Sequence, residues 1–192
     1  MSLVATARAM ERTDANLLAR IASGDLSSLG TLFDRYAIDV RSFIARLGIG
    51  AADVDDLTQT TFVLVLEAAS SFRGPGSGRA WLFGLAANVV RRHRRSFARM
   101  ATRVAAWALE PRADTTPTPE RASDVRERAA LAGRALTRLS AKKREVFVMI
   151  VMEDVTAEDA AAALGIPIGT VWTRLHHARR ALRAYLEEEE TT

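Results

Sequence analysis

Cysteine is missing from this 192-residue chain, which excludes disulfides and thiolate metal sites. Histidine is scarce too: only His93, His176 and His177 occur, without a spaced carboxylate partner. The adjacent pair would point about 100° apart on a helix, so no shared metal ion is expected. Nowhere is there a run of about 18 apolar residues, and the N-terminus lacks a basic-then-apolar signal layout. Neither a membrane span nor secretion is indicated, and a soluble cytoplasmic chain is expected. Strand-like alternation of useful length and internal repeats are absent as well. The glycine-rich stretch GPGSG, residues 74–78, has no strand before it, as a dinucleotide site would require. With no nucleophile motif either, no catalytic residue and no cofactor are expected, and an enzyme is not indicated.

What the chain does have is helical periodicity and a divided charge. Apolar residues make up 48% of it, enough for packed cores in one large domain or two small ones. Leu17, Leu18 and Ile21 form a short apolar face that ends at Gly24. A longer one, Leu29, Leu32, Phe33, Tyr36, Val40, Phe43, Ile44 and Leu47, ends at Gly48. Asp53 is placed to cap the next helix, with Leu57, Phe62, Val65 and Leu66 inward and Asp55, Asp56, Gln59 and Thr60 outward. Acids near a helix N-terminus offset its dipole, so a structural role for Asp55 and Asp56 stands beside a binding role. From Ala68 to Leu109 there is no acid at all, against eight arginines from Arg73 to Arg103. One face should suit phosphate and another a basic partner.

Ser70 to Gly78 is broken by three glycines and a proline and reads as an exposed loop. The helix behind it spaces Trp81, Leu85 and Val89 at i, i+4 and i+8 and finishes in Arg91-Arg92-His93-Arg94-Arg95. Four arginines in five positions cover too wide an arc for dipole compensation alone. A basic helix entered from such a loop offers phosphate contacts and a place for an unstacked base. Phe72, Trp81 and Phe83 are the aromatics available for stacking, with Trp81 the foremost candidate for the core.

Glu110 to Asp124 holds three of the five prolines and no apolar period, the mark of a flexible linker between two domains. Beyond it, Val125, Leu131, Leu136 and Leu139 mark one helix. Ser140 caps another, whose core face is Val146, Phe147, Ile150 and Val151. Thr156 is an N-cap with Asp159 at the capping-box position, followed by the small face Ala160, Ala163 and Leu164, and Gly165 stops the helix. After Ile166-Pro167, Val171, Leu175, Ala178 and Leu182 recur as one helical stripe. Thr173, His176, His177, Arg180 and Arg183 lie opposite, with Trp172, Arg174 and Arg179 on the flanks. This is the helix-turn-helix pattern, whose second helix enters the major groove.

In the order and spacing of these segments the chain resembles the extracytoplasmic-function group of bacterial sigma factors. DVDDLTQTTFVLVLEAASSF is similar to region 2.2 of that family, RAWLFGLAANVVRRHRRS to region 2.4, and the stretch from Leu136 to Leu186 to region 4. The resemblance implies an all-α protein of two helical domains, residues 14–97 and 124–187, joined by a flexible linker at 98–123. It implies binding to the coiled coil of the largest subunit of core RNA polymerase through Asp53, Asp55, Asp56 and Gln59. Capture and melting of the minus-ten element would fall to Phe72, Arg73, Gly74, Arg79, Asn88, Arg91, Arg92 and Arg95. Duplex reading of the minus-thirty-five element would fall to Thr170, Trp172, Thr173, Arg174, His176, His177, Arg179 and Arg180. An anti-sigma protein is a further expected partner, and the acidic run Glu187–Glu190 is expected to close the chain without another domain. Ala87 departs from the family, which commonly carries a basic residue there. The alternative reading is a homodimeric helix-turn-helix repressor on a palindrome, which leaves the acidic and arginine-rich helices without a purpose.

Overall fold

Helices need start and stop signals, and the chain supplies them at nearly every boundary. The computed structural model describes residues 13–72, 76–105 and 124–190 and contains eight α-helices and no strand among them. Helix α1, Asp14–Ala22, is capped by the Thr13 hydroxyl, which accepts from the Asn16 N–H. The Asp25 carboxylate caps α2, Leu26–Arg46, accepting from the N–H groups of Ser27 and Ser28 at 2.9 and 3.4 Å. Gly48, at φ +84°, turns the chain out of α2. Helix α3, Ala51–Ala68, continues through one 3₁₀ turn at Ala69–Ser71, and α4 spans Gly78–Ala105.

The second group comprises α5, Asp124–Thr137, α6, Ala141–Phe147, a π-helical turn at Val148–Met152, α7, Ala157–Leu164, and α8, Ile168–Glu190. The Thr156 hydroxyl caps α7 by accepting from the Asp159 N–H at 3.1 Å. Gly165 closes α7 in the left-handed region, at φ +64°, with Ile166 N–H donating to Ala161 O at 3.0 Å. That is the Schellman arrangement, in which a glycine is strongly favoured. The stripe Val171, Leu175, Ala178 and Leu182 is buried as expected, and Tyr185 extends it.

Several expectations are corrected. Gly50, without a side-chain bond, is the N-cap of α3, and Asp53 lies inside its first turn. Leu66 is exposed, because α3 turns that edge away from α1 and α4. Ser140 stands at the N-cap of α6 but its hydroxyl makes no capping bond. Val148 and Met149 carry the core while Val151 is exposed, because the π turn rotates the later residues away from the α-helical period. Helix α4 runs eight residues past the expected domain end at 97, so residues 98–105 are helical. The N-terminal residues 1–12, Arg73, Gly74 and the proline-rich stretch lie outside the described residues.

Between Ala80 and Val90 helix α4 is buried over nearly its whole girth. One side packs into the first helical group, where Phe43 and Phe83 stack with ring centroids 4.5 Å apart. The other side meets the second group: Gly84 lies against the backbone of α7 at Ala163. The two groups are thus mated along α4 and α7, and their buried residues form one continuous core.

Candidate polymerase and nucleic-acid surfaces

The acidic edge of α3 is held outward by the burial of its opposite face. Val54, Leu57, Thr58 and Thr61 turn inward, leaving Asp53, Asp55, Asp56 and Gln59 exposed. Asp55 accepts from Arg41 Nε at 2.6 Å and Asp53 lies 3.7 Å from His93 Nε2. Both pairs are solvent-facing, so they contribute little to stability and leave the edge available. Beside it, Gln59, Phe62, Val63, Leu66, Leu26 and Phe33 line an apolar groove between α2 and α3.

Of the residues assigned to the minus-ten strand, Phe72 and Arg79 flank the start of α4, whereas Asn88, Arg91, Arg92 and Arg95 lie about three to five turns along it. Phe72 meets Trp81 edge-to-face with centroids 5.8 Å apart, and the two line a cavity of about 400 Å³ with Ser77, Gly84, Asn88 and Asp159. Trp81 is therefore half-buried at the rim, whereas Phe83 is fully buried and belongs to the core, the reverse of their expected order. The reason is rotation: Phe83 points at Phe43, and the face carrying Trp81 and Leu85 points along the mating surface with α7.

Two of the expected strand-binding arginines are engaged within the protein. The Arg79 guanidinium donates to Asp39 at 2.8 Å, to the Glu153 carbonyl at 2.6 Å and to the Glu153 carboxylate at 2.5 Å, and it lies 4.7 Å from the Phe83 ring centre. Burial works against its charge, yet these carboxylates outweigh burial and raise its pKa. Arg91 donates to Glu145 at 3.2 Å and to Asn88 Oδ1 at 2.6 Å. Burial pushes the Glu145 carboxyl above the usual range against the pull of Arg91, Arg174, Arg94 and Lys142. Arg92 and Arg95 stay exposed.

On α8 the buried stripe presents the opposite side to solvent. Trp172 is 52% exposed, and Thr173, His176, Arg179 and Arg180 are exposed beside it, with Thr170, Arg174 and His177 half-buried. The Thr173 hydroxyl donates to Gly169 O at 2.8 Å, leaving its lone pairs to accept. A basic, acid-free helix face of this width fits the major groove. Among the described residues no cluster of His, Asp and Glu could hold a metal ion, and no helix is long and apolar enough to cross a membrane.

The sequence did not point to Arg46, Gly84, Arg144, Glu145 or Glu153, which join the two halves. Arg46 pairs with Glu153, and Arg144 donates across to Leu47 O at 2.7 Å, where Arg94 also donates. The one available signal was Gly84, a glycine inside a helical period with no turn to explain it.

Sequence and structure comparisons converge. The family profile for sigma-70 region 2 matches residues 32–100, and that for sigma-70 region 4 matches residues 130–182. The chain is 31% identical to the RNA polymerase sigma factor CnrH of Cupriavidus metallidurans, over 93% of this chain and 97% of the relative. It is 30% identical to the extracytoplasmic-function sigma factor SigM of Mycobacterium tuberculosis, over 92% of this chain and 86% of that one. Among solved structures, CnrH in complex with the cytosolic domain of CnrY is similar with a TM-score of 0.67 at 28% identity, over 91% of this chain and 97% of that one. The sigma factor RpoE of Bartonella quintana, in complex with the anti-sigma factor NepR, matches with a TM-score of 0.64 at 25% identity, over 82% of this chain and 96% of that one.

Proposed function

As the chain belongs to the extracytoplasmic-function group of the sigma-70 family, whose members bind core RNA polymerase and direct it to promoters, we propose how its surfaces divide that work. The exposed edge Asp53, Asp55, Asp56 and Gln59 docks on the polymerase largest subunit. The loop from Phe72 through Arg73 and Gly74, with Arg79, Asn88, Arg91, Arg92 and Arg95, takes the minus-ten strand. Thr170, Trp172, Thr173, Arg174, His176, His177, Arg179 and Arg180 read the minus-thirty-five duplex. Residues 14–97 and 124–187 act as the two domains, with 98–123, helical as far as Ala105, as their connection.

Strand opening costs a few kcal/mol of unstacking, which falls when an extruded base is held in a pocket and its strand on a basic surface. The cavity beside Phe72, Trp81 and Asn88 suits the first task, and the arginines of α4 the second. Duplex reading needs few side chains on bases, with phosphate contacts fixing register. Two modest sites joined by a tether gain affinity through effective concentration.

The chain acts in the cytoplasm as a non-catalytic subunit. Its solved relatives are held by CnrY and NepR, and an anti-sigma protein of that kind is the regulator proposed here. The observation that carries the polymerase assignment is the exposed acidic edge, which the fold engages only in the solvent-facing pairs Arg41–Asp55 and His93–Asp53. Asp55→Arg with Asp56→Arg should abolish co-purification with core RNA polymerase while circular dichroism keeps its helical signal. Normal co-purification removes the docking assignment. The repressor reading is not favoured: it assigns no role to this edge.

A further inference from the structure

A side-chain amide offers a base either an oxygen that accepts or an NH₂ that donates, and an unrestrained one turns both ways. Asn88, exposed about three turns into α4, stands at the edge of the cavity beside Phe72 and Trp81. Its amide is not unrestrained. Asn88 Oδ1 accepts from Arg91 Nη2 at 2.6 Å, and a guanidinium carries donors only. Turning the amide over would set NH₂ against N–H, so the oxygen is fixed on Arg91 by the chemistry of the pair.

The pair is built into one helix. Positions 88 and 91 are i, i+3 neighbours on α4, so the contact does not depend on what is packed opposite. The other arm of the guanidinium, Nη1, donates to Glu145 at 3.2 Å. Arg91 is therefore occupied with its neighbours, whereas Arg92 and Arg95 are exposed and suited to phosphates. What Asn88 has left to give a base is its NH₂.

Adenine is the base that an asparagine reads best, because the amide oxygen and nitrogen together match its amino group and the adjacent ring nitrogen. With the oxygen engaged, that two-point pairing is lost and a base is held through an acceptor alone. We propose that Arg91 is a positioning residue for base selection: it orients Asn88 as a donor, so that the capture site takes an extruded base with an accepting edge and discriminates against adenine. This rests on the assignment of Asn88 to the minus-ten strand.

The test uses holoenzyme assembled from core RNA polymerase and the full chain, mixed with single-stranded DNA of randomised sequence, with the bound strands sequenced. The parental holoenzyme should deplete adenine at one position of the selected motif by about tenfold or more, the size of one two-point base contact. Arg91→Ala frees the amide to turn and should restore adenine at that position, with the preferences at the other positions unchanged. Asn88→Asp reaches the same end by another route, setting an acceptor toward the adenine amino group, and Asn88→Ala should leave the position indifferent. Arg92→Ala should weaken binding to all sequences alike, the mark of a phosphate contact. Co-purification with core polymerase shows that each variant has folded.

A parental motif that accepts adenine at every position overturns the proposal. So does an Arg91→Ala chain that loses affinity evenly and keeps the parental motif, because Arg91 is then a phosphate contact; if Asn88→Ala still flattens one position, the strand assignment of Asn88 survives alone. Should Arg91→Ala fail to co-purify, Asn88→Asp decides, and adenine still depleted in its motif overturns the proposal. Asn88 variants that alter neither motif nor affinity remove both the positioning role and the strand assignment.

Discussion

Replacing Phe83 tests which aromatics of α4 serve the fold and which serve nucleic acid. Its ring is fully buried, stacked on Phe43 at 4.5 Å with planes 21° apart, and it lies under the Arg79 guanidinium. Truncation of a buried phenylalanine removes its transfer free energy and leaves a cavity, together about 3–5 kcal/mol. The aromatic pair supplies about 0.5–1.5 kcal/mol of that. Against a total stability on the order of 5–15 kcal/mol, Phe83→Ala should remove about a third. With a urea slope of about 2 kcal/mol/M for a chain of this size, the midpoint should fall by about 2 M. Phe83→Leu keeps most of the volume and should cost about 1.5 kcal/mol. Urea unfolding followed by circular dichroism reads both shifts, and fluorescence anisotropy with single-stranded DNA reads the other role. A Phe83→Leu chain that unfolds at the parental midpoint but has lost strand binding would refute the core assignment and return this ring to the base-stacking set.

Thr173→Ala with His176→Ala, both exposed on α8, should erase protection of the upstream promoter element in footprints of the holoenzyme while sparing polymerase binding; unchanged footprints remove the assignment of that face. Gly48→Ala should destabilise the chain by about 2 kcal/mol, because alanine at φ +84° is strained and its Cβ would displace the Arg144 guanidinium; an unshifted urea midpoint contradicts this. Tyr36 donates to Asp14 Oδ2 at 2.6 Å, and burial with that carboxylate pushes its phenol up to about 12. Because the folded state holds this proton longer than the unfolded chain, the bond's stabilisation is complete below about pH 10 and is lost as the pH rises through about 12. In a Tyr185→Phe background, phenolate absorbance rising at the ordinary tyrosine pKa in the folded chain would contradict that.

Local signals were the legible part of the sequence. Thr156, Gly165 and the stripe from Val171 to Leu182 act through neighbours within a few positions, so period and cap chemistry were enough to place α7 and α8. The outward turn of Asp55 and Asp56 follows equally from the burial of Val54 and Leu57. The rotation of α4 was not legible, because both its sides are buried and a helix packed all round shows no single stripe; Trp81 and Phe83 were exchanged for that reason. Contacts between the halves were hidden as well. Glu145 and Glu153 carry no local signal, since their partners Arg91, Arg79 and Arg46 come from residues far away in the chain.

The π-helical turn at Val148–Met152 has a consequence for how the halves are aligned. Its wider winding inserts one residue into the helical count before Glu153, whose N–H reaches back five residues to Val148 O at 3.0 Å. Deleting one residue from Val148–Met152 would restore the ordinary winding and swing the next side chain by about 100°, turning the carboxylate away from Arg46 and Arg79 with every partner still present. The latch is therefore set by residue number as well as residue type, and a single-codon deletion could release it where most point changes in that turn would not.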